Sequence, residues 1–181
     1  RSSDLAYSPV LISPYMDGEK VSVKAISDKA EAFEGRMEAF IMDFGGDILW
    51  NETTGCRLQA DESADLMSVD AALLDGNRLL YVRILKDGVT VSENTFYTRF
   101  PKEYEYGCPE ISFEVHDCAE GLELTVSSDR LARGLYLFSD NADDFFEDNY
   151  MDLLPGFPRK ITVRTGSTAE EFKTTLKYQT L

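Results

Sequence analysis

Apolar side chains recur at every second position through most of this chain, the period of a strand with one face on a core. Val21, Val23 and Ala25 alternate with Ser22 and Lys24, and Met37, Ala39 and Ile41 follow with the same spacing. Gly45-Gly46 falls between that run and Ile48-Leu49-Trp50. Two glycines free to adopt positive φ predict a two-residue hairpin there, and Trp50 is expected in or near a first core. Helix competes at one place only, Ser68–Arg78. Ala71, Ala72, Leu73 and Leu74 favour it, Asp70 or Ser68 can cap it, and Gly76 stops it after one or two turns. Strands resume with Leu80, Val82 and Ile84 on one face and a turn at Lys86-Asp87-Gly88.

Two prolines, a glycine and mixed charges between Arg99 and Glu110 interrupt pairing, and the segment reads as a linker. Beyond it the alternation restarts. Ile111, Phe113 and Val115 share a face, Asp117–Gly121 turns, and Leu122, Leu124 and Val126 return, which is a hairpin. After a corner at Ser128–Arg133 comes a strand in Arg133–Asp140, then one with Ile161 and Val163 inward. Phe172, Thr174, Leu176 and Tyr178 are expected on one face of a last strand. Short strands at intervals of roughly 8 to 15 residues predict an all-β chain of two tandem immunoglobulin-like β-sandwich domains, residues 1–102 and 103–181.

Charge narrows the partners. Among 181 residues, 33 acids against 18 bases give a formal net charge of −15, which repels phosphate backbones and anionic lipid. Neither nucleic acid nor a membrane is an expected partner, and no apolar run approaches the roughly 18 to 20 residues of a spanning helix. The opening Arg1–Val10 has neither an initiator Met nor the apolar core of a signal peptide, so the chain is expected to continue a longer polypeptide. Cys56, Cys108 and Cys118 match neither a zinc ribbon nor a C-x-x-C redox pair. They read as three small thiols, buried or half-buried, with a Cys108–Cys118 bridge the lesser alternative.

Candidate chemistry is sparse. Acids abound, yet no pair stands out as the two carboxyl groups that glycoside hydrolysis needs. The single histidine, His116, is placed on an outward strand position beside Asp117, where a solvated ring is expected in place of a catalytic one. No glycine-rich phosphate cradle is present. Asp140, Asp143, Asp144, Glu147, Asp148 and Asp152 form an acidic run that is the best metal candidate, but the run departs from an EF-hand at its third, sixth and twelfth positions. A solvated loop is expected, with Asp148 or Asn149 bonding nearby backbone and Phe145, Phe146, Tyr150, Leu153 and Leu154 pointing into the sandwich end or a neighbouring domain. Asn51-Glu52-Thr53 is an N-glycosylation sequon of the kind that chance supplies.

The order of segments then becomes informative. AYSPVLISPYMDGEKVSVKAISD, DFGGDILW, ENTFYTRFPKE, LARGLYLFSD and EDNYMDLLPG followed by RKITVRT resemble the C-terminal part of family 2 β-mannosidases. In those enzymes a catalytic TIM barrel precedes two immunoglobulin-like modules, the last carrying a motif close to D-N-Y-F-D-L-L-P-G. Met151 stands where the family usually has Phe, a volume-conserving exchange, and Phe157 where many members have an acid. Related exo-glycosidases such as glucosaminidases share similar trailing modules.

The resemblance implies that the two catalytic glutamates lie in a barrel upstream of Arg1. No catalytic, cofactor-binding or metal residue is therefore expected on this chain. Its expected partners are that barrel in the same polypeptide and, through the parent, a carbohydrate substrate. The sequence leaves the compartment open; a periplasmic or secreted location is one option for a bacterial parent. Phe145–Gly156 reads as an ordering loop in which Pro155 fixes φ and Gly156 permits a tight turn. The rival classes are a stand-alone carbohydrate-binding module, with Tyr104, Tyr106 or Tyr150 as stacking platform, and a cell-surface adhesion module.

Overall fold

The computed structural model describes residues 10–181, so Ala6–Pro9 of the resemblance above lie outside the described residues. Two compact units divide the chain. One runs to Asp43 and continues over Asp47–Glu105, and the other comprises Tyr106–Leu181 with Phe44–Gly46.

In the first unit seven strands form, β1 (Val10–Asp17), β2 (Lys20–Ser27), β3 (Phe33–Asp43), β4 (Ile48–Leu58), β5 (Ser63–Asp70), β6 (Arg78–Lys86) and β7 (Val89–Phe96). They make two antiparallel sheets, β1-β2-β5 and β4-β3-β6-β7. The inward faces are the alternating sets of the sequence. Val21, Val23, Ala25, Met37, Ala39, Ile41, Leu80, Val82 and Ile84 are each 1% exposed or less and share one core with Trp50 packed at its edge. Each large aliphatic side chain so buried contributes about 1.5–3 kcal/mol, which fixes register because a one-residue slip would turn the whole set to solvent. Across the sandwich edge, buried Ser92 Oγ accepts from Ile12 N–H at 3.1 Å, and Asn94 Nδ2 donates to the Ile12 carbonyl at 3.4 Å.

One local expectation changes. The Gly45-Gly46 hairpin is not a two-residue turn: β3 ends at Asp43 and β4 begins at Ile48, and of the two glycines only Gly46 has positive φ. Asp43 closes the loop instead, its N–H donating to the Asp47 carbonyl and its Oδ1 accepting from Asp47 N–H at 2.9 Å. Strand β5 carries no clean alternation in sequence, because its pairing with β2 shifts register at Val23/Lys24 and Leu66 and Met67 are both half-buried. The short helix forms as a single 3₁₀ turn, Ala71–Leu74, within the one or two turns expected, and is capped by Asp70 Oδ1 accepting from Ala72 N–H. The Asp87-Gly88 turn forms with φ of +52° and +77°, the doubly left-handed pair that matches strand twist in a hairpin.

The second unit has β8 (Ile111–Cys118), β9 (Gly121–Ser128), β10 (Ala132–Ser139), β11 (Phe145–Phe146), β12 (Met151–Leu153), β13 (Arg159–Arg164), a helix α1 (Ala169–Thr175) and β14 (Leu176–Gln179). Its sheets are β12-β10-β14 and β11-β13-β9-β8. Leu122, Leu124, Val126, Leu135, Leu137, Ile161 and Val163 fill the space between them. Phe44 belongs to this unit, its carbonyl accepting from Leu131 N–H at 2.8 Å and its ring stacked on Tyr106 at 5.7 Å.

The last strand is a correction. Phe172 and Thr174 lie in α1, and only Leu176 and Tyr178 are extended. Thr168 and Glu171 form a capping box, with Glu170 and Glu171 in the first turn; both features favour helix at that end. The cysteines are unjoined: Cys56 is buried, Cys118 half-buried and Cys108 exposed, where a covered thiol was expected.

Candidate functional site

Residues 140–157 form the loop-rich end of the second unit, and side-chain amides and carboxylates shape it. Asn149 Oδ1 accepts from Leu137 N–H at 2.7 Å while Nδ2 donates to the Leu137 carbonyl at 2.8 Å. One amide thus supplies both bonds that a paired strand would give β10. Asp152 Oδ1 accepts from Gly134 N–H at 2.9 Å. After β12, Leu154-Pro155-Gly156-Phe157 closes by Phe157 N–H donating to the Leu154 carbonyl at 3.1 Å. Gly156 has φ +83°, the position of a type II turn that only glycine occupies cheaply, with proline pre-set before it.

Apart from Asp143, the acids of the run have separate partners. Asp144 accepts from Ser139 Oγ at 2.7 Å and from Thr165 Oγ1, Glu147 pairs with Arg164 at 3.1 Å, Asp140 with Lys177, and Asp148 accepts from Asn149 N–H. Among the described residues no three His, Cys, Asp or Glu side chains converge on a point where a metal ion could sit.

The aromatics divide into two sets. Leu153 and Leu154 are buried, and Phe146 packs on the core against Phe172. Phe145 and Tyr150, expected in the sandwich end or against a neighbouring domain, do not enter the sandwich and are 58% and 73% exposed on this chain. Tyr150 has φ +54°, which swings its ring out of the β12 pattern and onto Tyr136, centroids 4.5 Å apart; Tyr136 in turn stacks on Phe138 at 5.8 Å. Arg164 lies over Phe145 at 6.0 Å. Beside β10 lies a cleft of about 310 Å³ whose lining includes Tyr136, Phe138, Phe145, Asn141, Asp144 and Asn149. Tyr136 and Phe138, two apart on one strand, were not singled out from the sequence, although their period-two spacing marks them as one outward face.

The other candidates lie elsewhere. His116 is on an exposed position of β8, 3.9 Å from Glu114. Tyr104 is buried, its hydroxyl accepting from Arg99 N–H at 3.0 Å, and Tyr106 is stacked on Phe44 and accepts from Arg133. Neither ring is a free stacking platform, which leaves Tyr150 of the three. Asn51 is exposed on β4, an edge strand of its sheet.

Residues 19–103 match the Mannosidase Ig/CBM-like domain, and residues 108–181 match the mannosidase Ig-fold domain. The chain belongs to the mannosidase immunoglobulin-like domains. It is an all-β chain of tandem immunoglobulin-like sandwiches of the kind found in mannosidase-type glycoside hydrolases. Among solved structures it resembles the β-D-mannosidase of Dictyoglomus thermophilum, with TM-score 0.86 and 21% identity over 97% of this chain and 22% of that one. It also resembles the exo-chitosanase CsxA of Amycolatopsis orientalis, with TM-score 0.64 and 17% identity over 97% of this chain and 26% of that one. At such identities the likeness is one of fold. The mannosidase-type pair thus spans about a quarter or less of either neighbour. No curated protein matches it in sequence.

Proposed function

We propose that this chain is the non-catalytic C-terminal accessory region of a family 2 β-mannosidase, divided into domains between residues 102 and 103. A TIM barrel elsewhere in the same polypeptide would hold the acid/base and nucleophile and remove terminal non-reducing β-D-mannose with retention. The observation that carries this reading is the succession of two mannosidase-type domains over 19–103 and 108–181. The acidic loop supports it, since Asp144, Glu147 and Asp152 hold neighbouring hydroxyls, a guanidinium and a backbone N–H. A retaining pair would instead face each other across a sugar at about 5–5.5 Å.

The test compares the chain alone with the polypeptide that carries it, on an aryl β-mannoside. Hydrolysis with net retention by the parent, none by the chain, and a lower melting temperature of the parent once the chain is deleted are expected. Turnover by the chain alone overturns the reading. A second reading, a sugar-binding module, is favoured by the exposed Tyr150 ring stacked on Tyr136.

A further inference from the structure

Phe145 and Asn141 are the two groups at the cleft beside β10 whose binding capacity is largely unused. A ring 58% exposed leaves apolar surface in water that stacking would cover. Asn141 Oδ1 accepts from Asp143 N–H, and its Nδ2 has no protein partner among the described residues. Asp144 is held from two sides by the Ser139 and Thr165 hydroxyls, and a carboxylate so fixed retains lone pairs for further donors. The geometry points to a binding subsite for a neutral pyranose, with the sugar's C–H face on Phe145 and its hydroxyls bonded to Asn141 Nδ2 and Asp144.

Size, lining and charge agree on that class. A cleft of about 310 Å³ lies at the small end of the roughly 300–1,000 Å³ found for ligand sites. A lining that includes rings, an amide and a carboxylate suits a ligand with an apolar face and a polar edge. A phosphorylated or uronic sugar is disfavoured, because the Asp144 carboxylate lines the cleft in a chain of net charge −15. The nearby cations are already engaged, Lys177 with Asp140 and Arg164 with Glu147. The subsite goes beyond the accessory role and does not rest on it.

Titration of the ¹⁵N-labelled chain with β-1,4-mannobiose, cellobiose and chitobiose reads the site directly, with glucose 1-phosphate as the charged control. At least one neutral disaccharide is expected to give saturable shifts at Asn141, Asp144 and Phe145 in the millimolar range, and the phosphate ester weaker ones. Phe145→Ala and Asn141→Ala should each weaken binding by about five-fold or more with unchanged melting temperature, since both positions are exposed. Absence of saturable shifts with all three sugars, shifts confined to other residues, or full binding by both variants overturns the subsite. Hydrolysis by the parent is a separate readout, so the two readings fail independently.

Discussion

Asn149 grips both polar groups of one β10 residue, donating at 2.8 Å and accepting at 2.7 Å at Leu137. Leu137 is itself 1% exposed, so neither backbone group has water as a substitute. Leaving a buried donor or acceptor unmade costs about 1–3 kcal/mol. Asn149→Ala is therefore expected to destabilise the second unit by about that much or somewhat more, seen as a lower urea midpoint. Asn149→Asp keeps the acceptor but sets a carboxylate oxygen against the Leu137 carbonyl, and should be at least as damaging. An asparagine in a turn-rich acidic segment was legible as a backbone-bonding residue, but its partner, 12 residues away, was not.

Thiol chemistry belongs to the same scale. Burial raises the pKa of Cys56 above its ordinary 9.0. With a disulfide-exchange reagent, Cys108 should react first, Cys118 more slowly, and Cys56 only on unfolding. The folded state holds the Cys56 proton more tightly than the unfolded chain does. The associated stability is then fully present below about pH 9 and is lost as pH rises from there toward the folded pKa. The Tyr15 phenol, raised by its hydrogen bond to Asp65, acts in the same direction. A urea midpoint that falls above pH 9, and falls less in Cys56→Ala, is the expected result.

At the scale of elements, α1 is where local signals and strand periodicity conflicted. Phe172, Thr174, Leu176 and Tyr178 keep period two, yet only the last two are extended. A seven-residue helix is marginal alone, so its cap and its one buried side chain must hold it. Thr168→Ala removes the acceptor for Glu171 N–H and should cost about 1 kcal/mol. Phe172→Ala, at a fully buried position, should cost about 3–5 kcal/mol. Thermal melts of the two variants check the order; equal effects would mean that Phe172 is not the anchor. The capping box was readable in Thr168-Ala-Glu-Glu171, whereas burial of Phe172 against Phe146 depends on a partner 26 residues away in sequence.

Across the whole molecule, like charge opposes compaction. Its 33 acids and 18 bases are joined mainly by exposed ion pairs such as Arg57–Glu34 and Lys173–Glu170, each worth at most about 1 kcal/mol. Raising salt from roughly 10 to 150 mM shortens the screening length from about 30 to 8 Å and should raise the melting temperature. A fall with salt would mean that the ion pairs outweigh the repulsion. The sequence by itself determined the all-β class, the inward faces of the hairpin strands and the Pro155-Gly156 turn. Each of these follows from side-chain period or backbone freedom within a few residues. Tertiary structure alone decided that Phe145 and Tyr150 face solvent, that Tyr104 is buried and that the acids of the run, Asp143 apart, have separate partners. Those outcomes depend on which distant groups the sheets bring alongside, such as Tyr136, Arg99 and Arg164, and periodicity carries no record of such meetings.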